Sequence, residues 1–207
     1  MYMGGFLGYV RQENSVGAAS SRLDFSSRFD GGSAADFGGT LGGRLGYNLQ
    51  VGEAILGMSL EINSLFGESV NTNMGEYYDA AHGDVLSVSE SYSISSTVDG
   101  LVSFPISLGF VTQGNNLVYM RGGYALASIE VQNEVFPEEN RGSQVVGGYN
   151  VGLGFSKFAT ENISVYMEGN YYRFDEIENR LSGEDFNSST SVRQSLLSLI
   201  VGINIHF

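Results

Sequence analysis

From Arg193 to Phe207 the chain alternates with period two without a break. Ser195, Leu197, Leu199, Val201, Ile203, Ile205 and Phe207 fall on one face, and Gln194, Leu196, Ser198, Ile200, Gly202, Asn204 and His206 on the other. Successive side chains of a β-strand point to opposite sides of a sheet, so this is strand patterning and not that of a helix. Its length constrains the fold further. Strands of soluble sheets run to about 5–6 residues, whereas a tilted strand crossing a hydrocarbon layer takes about 9–11. One face is apolar over almost its whole length and the other is mixed and ends polar. That is the pattern of a strand with lipid on one side and a narrow, filled interior on the other.

The same alternation recurs upstream. Ile163, Val165, Met167 and Tyr171 oppose Ser164, Tyr166, Glu168, Asn170 and Tyr172; Val151, Leu153 and Phe155 oppose Asn150, Gly152 and Gly154. Val118, Met120 and Tyr124 oppose Tyr119, Arg121 and Ala125; Phe104, Ile106 and Leu108 oppose Ser103, Pro105 and Ser107. Leu56, Met58 and Ile62 oppose Gly57 and Glu61, and Leu41, Leu45 and Tyr47 oppose Gly42, Arg44 and Asn48. A first strand from Tyr2 to Arg11 carries glycine on both phases, which leaves its faces unassigned. No apolar run is long enough for a spanning helix, which needs about 18 residues or more. A closed barrel is the other spanning solution, because lipid offers no partner to a free backbone group. Only 16% of the residues are charged and cysteine is absent, so neither a disulfide framework nor a thiolate zinc site is available. The opening Met1-Tyr2-Met3-Gly4-Gly5 lacks the basic and apolar regions of a signal peptide, and none is expected within this sequence.

The connections alternate in length. Short ones lie around Gln50–Glu53, Gln113–Asn116 and Ala159–Asn162; long ones run from Gln12 to Asp36, Gly67 to Glu90, Asn133 to Gly142 and Asp175 to Thr190. The predicted fold is therefore all-β: one domain over residues 1–207, an eight-stranded antiparallel up-and-down transmembrane β-barrel with short turns at the end that holds both termini. From Leu86 to Phe110 a single phase runs through Leu86, Val88, Tyr92, Ile94, Val98, Val102, Phe104 and Ile106, longer than a membrane crossing requires. The third and fourth strands are thus expected to project as a hairpin with its tip near Gly75 to Asp84. Pro105 lacks a ladder donor, so a bulge or irregular pairing is expected there.

Charge is unevenly placed. The four long connections hold seventeen Asp and Glu against four Arg, a difference equal to the chain's net charge of −13. So acidic a chain is not expected to bind nucleic acid. Solvated, mobile loops kept soluble by charge are the ordinary reading of such stretches, with cation attraction as the alternative; no EF-hand loop pattern is present.

Two constellations stand out. Arg44, Glu61, Arg121 and Glu168 all fall on inner faces, where an eight-stranded barrel has room for side chains and little more. Opposite charges there are expected to pair and plug the lumen, with a pore gated by rearrangement of the same pairs as the alternative. His82 lies with Asp79 and Asp84 at the candidate tip; an exposed histidine among loop carboxylates is ordinarily solvated, with catalysis or metal binding as lesser readings. No enzyme activity, metal or cofactor is expected. Glycine pairs such as Gly42-Gly43 and Gly122-Gly123 recur within strands and suit tight curvature. Aromatics near strand ends, Tyr47, Phe110, Tyr119, Phe155 and Phe207 at one end and Phe66, Tyr92, Tyr171, Tyr172 and Phe174 at the other, suggest two interfacial girdles.

Gly43-Arg-Leu-Gly-Tyr47, Val118-Tyr-Met-Arg-Gly-Gly-Tyr124, the hairpin Asn150 to Asp175 and the ending Val201-Gly-Ile-Asn-Ile-His-Phe207, taken in order, resemble the opacity-type and OmpA-type small outer-membrane barrels. The resemblance implies a monomeric, multi-pass protein of the bacterial outer membrane, with short periplasmic turns and long extracellular loops, in contact with outer-membrane lipid and lipopolysaccharide. It implies roles in envelope structure and in adhesion to host or matrix proteins, with small-solute passage as an alternative and outer-membrane hydrolysis as a minor one. It also implies that Ile203, Ile205 and Phe207 form the signal read by the barrel-assembly machinery, in which His206 is a less usual penultimate residue. Under that reading Glu76, Tyr77, Tyr78, Asp79, His82 and Asp84 are the candidate surface-interaction tip.

Overall fold

The computed structural model describes residues 1–22, 25–29, 33–67, 70–74, 92–112, 114, 116–133, 141–183 and 186–207. The candidate tip residues Glu76, Tyr77, Tyr78, Asp79, His82 and Asp84, and Leu86 and Val88 beyond them, lie outside the described residues.

The described residues form eleven strands: β1 (Tyr2–Arg22), β2 (Phe25–Phe29), β3 (Ser33–Val51), β4 (Ala54–Gly67), β5 (Val70–Met74), β6 (Tyr92–Thr112), β7 (Asn116–Asn133), β8 (Arg141–Phe158), β9 (Ile163–Phe174), β10 (Ile177–Gly183) and β11 (Phe186–His206). Eight of them, β1, β3, β4, β6, β7, β8, β9 and β11, form an antiparallel up-and-down wall. The wall closes where β11 pairs with β1 from Tyr2↔His206 to Arg22↔Phe186. Closure leaves no sheet edge in the hydrocarbon, where an unpaired backbone group costs several kcal/mol. The predicted eight-stranded barrel is the observed one.

The short turns and both termini share one end. Gly52-Glu53 joins β3 to β4 between Val51↔Ala54, with Gly52 at φ 63°. The β6–β7 turn closes at Thr112↔Asn116 with Gly114 at φ 85°. A side chain is strained at either angle, and glycine is not. The Phe207 amide donates to the Met1 carbonyl at 3.0 Å beside these turns.

Each wall strand sets large apolar side chains outward, among them Leu7, Leu41, Met58, Ile106, Met120, Leu153, Met167 and Val201, between 45% and 69% exposed. A belt running unbroken around all eight strands is far beyond the apolar patches that water-facing surfaces carry, and it matches a lipid-facing band. On β1 the outward phase is that of Met3, Leu7 and Tyr9, and Tyr2, Phe6, Val10 and Gln12 turn inward. Inward Gly4 and Gly8, between them, lie directly against Asn204 and Ile200 of β11, which accounts for glycine on that phase.

Two expectations are corrected, and the irregular pairing expected at Pro105 is found on its β4 side. The long connections are in large part ladder: β1 runs to Arg22, β2, β5 and β10 fold back onto β1, β6 and β11, and β11 begins at Phe186. The single phase from Leu86 to Phe110 is broken by a bulge between Val98 and Gly100. The extra residue, Asp99, shifts the phase, so that Val98 is buried inside while Phe104 and Ile106 face lipid. Pro105 causes no register shift. It sits opposite Gly123 of β7 in regular register, while the β4–β6 pairing is interrupted between Met58↔Ile106 and Glu61↔Ser103, the irregularity a missing donor produces.

Candidate functional site

The lumen is layered along the barrel axis. At mid-height Arg44 of β3, Glu61 of β4, Arg121 of β7 and Glu168 of β9 turn inward and meet. Arg44 grips Glu168 with both terminal nitrogens, Nη1 to Oε1 and Nη2 to Oε2, each at 2.7 Å. Arg121 Nη1 donates to Glu168 Oε2, and its Nη2 lies 2.7 Å from Glu61 Oε2. Arg44 Nη2 lies 3.2 Å from Glu61 Oε1, which closes the ring of four. Ser103 Oγ donates to Glu61 Oε2 at 3.3 Å, and the Tyr119 hydroxyl donates to Glu168 Oε1. Two cations and two anions make the ring neutral. The bidentate fork fixes Arg44 geometrically, which a lysine at that position could not do.

Arg44 is also packed from the side. Its guanidinium lies 3.8 Å from the Tyr166 ring centroid and 5.5 Å from that of Phe6. Phe6, Tyr166 and Ile200 form a small apolar cluster around it. The inward rings find room because glycines face them: Tyr2 lies on Gly46, Phe6 on Gly42, Tyr119 on Gly154 and Tyr166 on Gly202. Gly42, predicted to serve curvature, thus makes space for a lumen aromatic.

Above the ring, toward the long-connection end, the interior is mixed, with buried Gln12, Thr40, Asn63 and Gln194 among apolar side chains. Val10, Leu65, Val98, Leu101, Ala125, Ala127, Ile129, Val146, Tyr172, Phe174 and Leu196 form one buried cluster. A void of about 10 Å³ lies among Val10, Leu65, Leu101, Asn63 and Ser198. Below the ring the lumen widens to a vestibule of about 660 Å³ at the short-turn end, with Arg44, Arg121 and Glu168 among its lining residues.

His206 also lines this vestibule. Its Nε2 is 2.8 Å from Ser164 Oγ, its ring packs 4.8 Å from Phe158, and its backbone bonds Asn162 through both N–H and carbonyl. The penultimate histidine therefore ties the end of β11 to the β8–β9 turn. Ile203, Ile205 and Phe207 take the opposite phase and face outward, 52%, 45% and 72% exposed.

The girdles need correction too. Tyr47, Phe110, Phe155 and Phe207 face outward at the short-turn end, as do Phe66 and Tyr171 toward the other. Tyr119, Tyr172 and Phe174 instead occupy the lumen. Tyr9, Phe37, Tyr124 and Tyr149 are further outward rings that join the belt.

The model of the outer membrane protein beta-barrel domain matches residues 4–198. The chain belongs to this family. It is a multi-pass β-barrel of the bacterial outer membrane, and general association with outer-membrane lipid, lipopolysaccharide and the barrel-assembly machinery goes with that membership. No curated protein sequence matches the chain. Among solved structures it is similar to the outer membrane protein OprG of Pseudomonas aeruginosa, at 10% identity over 100% of this chain and 96% of that one, TM-score 0.54. It is similar to the outer membrane protease OmpT of Escherichia coli, at 10% identity over 100% and 97%, TM-score 0.51. It is also similar to Neisserial surface protein A, at 14% identity over 96% and 97%, TM-score 0.42. These likenesses concern the fold, which hosts many unrelated activities.

Proposed function

We propose that this family member is a non-enzymatic, non-conducting barrel of the opacity or OmpA type that serves envelope structure and carries a surface-interaction platform at its long-connection end. The observation that carries the reading is the stacking of a neutral, bidentate ion-pair ring beneath the buried apolar cluster. Ion passage would require dismantling Arg44–Glu168 and also opening the cluster around Leu101 and Ile129. Breaking one partner of a buried pair costs about 3–5 kcal/mol, so such an open state would be rarely populated.

Planar-bilayer recording of the refolded protein tests this. No discrete conductance steps are expected, and reproducible single-channel steps would overturn the closed-lumen reading in favour of small-solute passage. The surface role rests on the acidic long connections and the candidate tip Glu76 to Asp84. Deleting residues 75–84 is expected to lower binding of cells to matrix protein while leaving heat-modifiable gel mobility intact. Unchanged binding would remove adhesion from the proposal.

A further inference from the structure

Six arginine and lysine side chains are among those described: Arg11, Arg44, Arg121, Lys157, Arg173 and Arg193. Arg44 and Arg121 are in the lumen ring, and Lys157 stands near the short-turn end, where it faces Asn116 in the β7–β8 register. The other three point outward from three adjacent strands at the closure seam: Arg11 on β1, Arg193 on β11 and Arg173 on β9. The register places them around Ser195 of β11. Ser195 faces Arg173 on one side and Glu13 on the other, Arg193 is two residues above it opposite Ser15, and Arg11 is diagonally below it opposite Leu197. Neighbouring strands lie about 4.8 Å apart, so the Arg11 and Arg173 backbones are roughly 10–12 Å apart across β11.

Two further features give this patch a direction. Immediately below it, toward the membrane, the same three strands expose Tyr9, Tyr171, Leu197 and Leu199, continuous with the lipid belt. Arg11 is 5.8 Å from the Phe37 ring, which stacks on Tyr9 at 5.6 Å, so the lowest cation is anchored at the aromatic border of that belt. The patch is not simply cationic. Arg11 pairs with Glu13 at 2.8 Å and Arg193 with Glu176 at 3.1 Å, both pairs half-exposed, and no carboxylate among the described residues pairs with Arg173. Exposed pairs of this kind are weak and exchange readily for a stronger anion.

We propose that Arg11, Arg173 and Arg193 form a binding site for the phosphorylated headgroup of an outer-leaflet glycolipid, with its acyl chains laid against Tyr9, Tyr171, Leu197 and Leu199. The occupant follows from the juxtaposition: an anion at the guanidiniums and a hydrocarbon directly beneath it, at the level where the belt ends. A dianionic phosphate accepts from several guanidiniums at once, and a soluble anion would leave the apolar half of the surface unused. The site lies on the β1–β11 closure, so the bound lipid would brace the upper part of the seam between the first and last wall strands. Its acidic neighbours Glu13 and Glu176 turn from ion-pair partners into groups that a divalent cation could bridge to the same phosphate.

The test uses the full refolded barrel in detergent, with native mass spectrometry reading bound lipid. The probes are lipid A carrying both phosphates, the same lipid A dephosphorylated, and inorganic phosphate. Each arginine near a charged headgroup layer is worth roughly fivefold in affinity, so Arg173→Gln should lose about fivefold and the triple variant R11Q/R173Q/R193Q about 100-fold, with heat-modifiable mobility retained. Lipid A binding by the triple variant within twofold of the unmodified protein would overturn the proposal. So would equal binding of the dephosphorylated lipid, and inorganic phosphate binding as tightly as lipid A would remove the lipid from it. Should the triple variant fail to fold, Arg173→Gln alone decides, since no ion pair among the described residues depends on it.

Discussion

Arg44 and Glu168 are joined by two parallel hydrogen bonds of 2.7 Å across the lumen, although they stand 124 residues apart. Glu168 accepts from Arg44, Arg121 and Tyr119 together, so it is the hub of the ring. Glu168→Ala would leave two guanidiniums buried with one carboxylate between them. The expected cost is about 3–5 kcal/mol in urea unfolding from detergent or bilayer. Replacing both partners, as in Arg44→Met with Glu168→Met, removes two charges of opposite sign and should cost less than the single change. A loss under 1 kcal/mol for Glu168→Ala would show that the ring does not hold the barrel together.

The bulge at Asp99 makes a prediction that distinguishes two deletions. With Asp99 removed, Val98 and Gly100 would become consecutive and would still face Ile129 and Ser128, giving a regular ladder with every inward residue unchanged. That variant should fold with near-normal yield and heat-modifiable mobility. Deleting Phe104 instead would turn one half of β6 inside out, so that either Ser103 meets lipid or Ile106 enters the vestibule. It should fail to assemble. Equal failure of both deletions would mean that the bulge itself, and not the phase it sets, is required.

Most of the wall was legible in the sequence because lipid outside and a packed lumen inside force strict alternation. Arg44, Glu61, Arg121 and Glu168 could be placed on inner faces from phase alone. What phase cannot supply is height and partnership around the barrel, so the apolar cluster within the upper lumen and the meeting of Arg11, Arg173 and Arg193 emerge only with the closure of β11 on β1. Tyr119 and Tyr172 are instructive. Each shares the inward phase of Arg121 or Glu168, so phase identifies them as lumen residues, whereas nearness to a strand end misleadingly suggests a girdle. Val98 could not be placed from the sequence, since a one-residue bulge at Asp99-Gly100 leaves no compositional mark. The return strands β2, β5 and β10, only 5, 5 and 7 residues long, were hidden inside stretches that read as connections.

Tyr119 reaches Glu168 across the space over Gly154, where a Cβ would meet the tyrosine ring and hydroxyl. Gly154→Val should therefore cost about 1–3 kcal/mol by overpacking and push Tyr119 away from the ring of charges. In a Tyr119→Ala background the same substitution finds empty space and should cost little. A double-mutant cycle on urea midpoints measures the difference. If valine costs as much in both backgrounds, the glycine is serving the backbone and not the ring above it.

Phe207 separates folding from delivery. Its side chain is 72% exposed on the outward phase with Ile203 and Ile205, so it contributes little packing, while its backbone amide bonds Met1 at the seam. Deleting Phe207 should change the stability of protein refolded in detergent by about 0.5 kcal/mol or less, the range of surface substitutions. In cells the same deletion should lower the amount reaching the outer membrane several-fold, because a terminal aromatic above Ile205 and Ile203 is the pattern that the assembly machinery is expected to read. Comparing refolding yield with surface abundance keeps the two effects apart. Loss in both assays would assign Phe207 to seam stability. Loss in neither would show that the strand from Ile203 to His206 is recognised without its terminal ring.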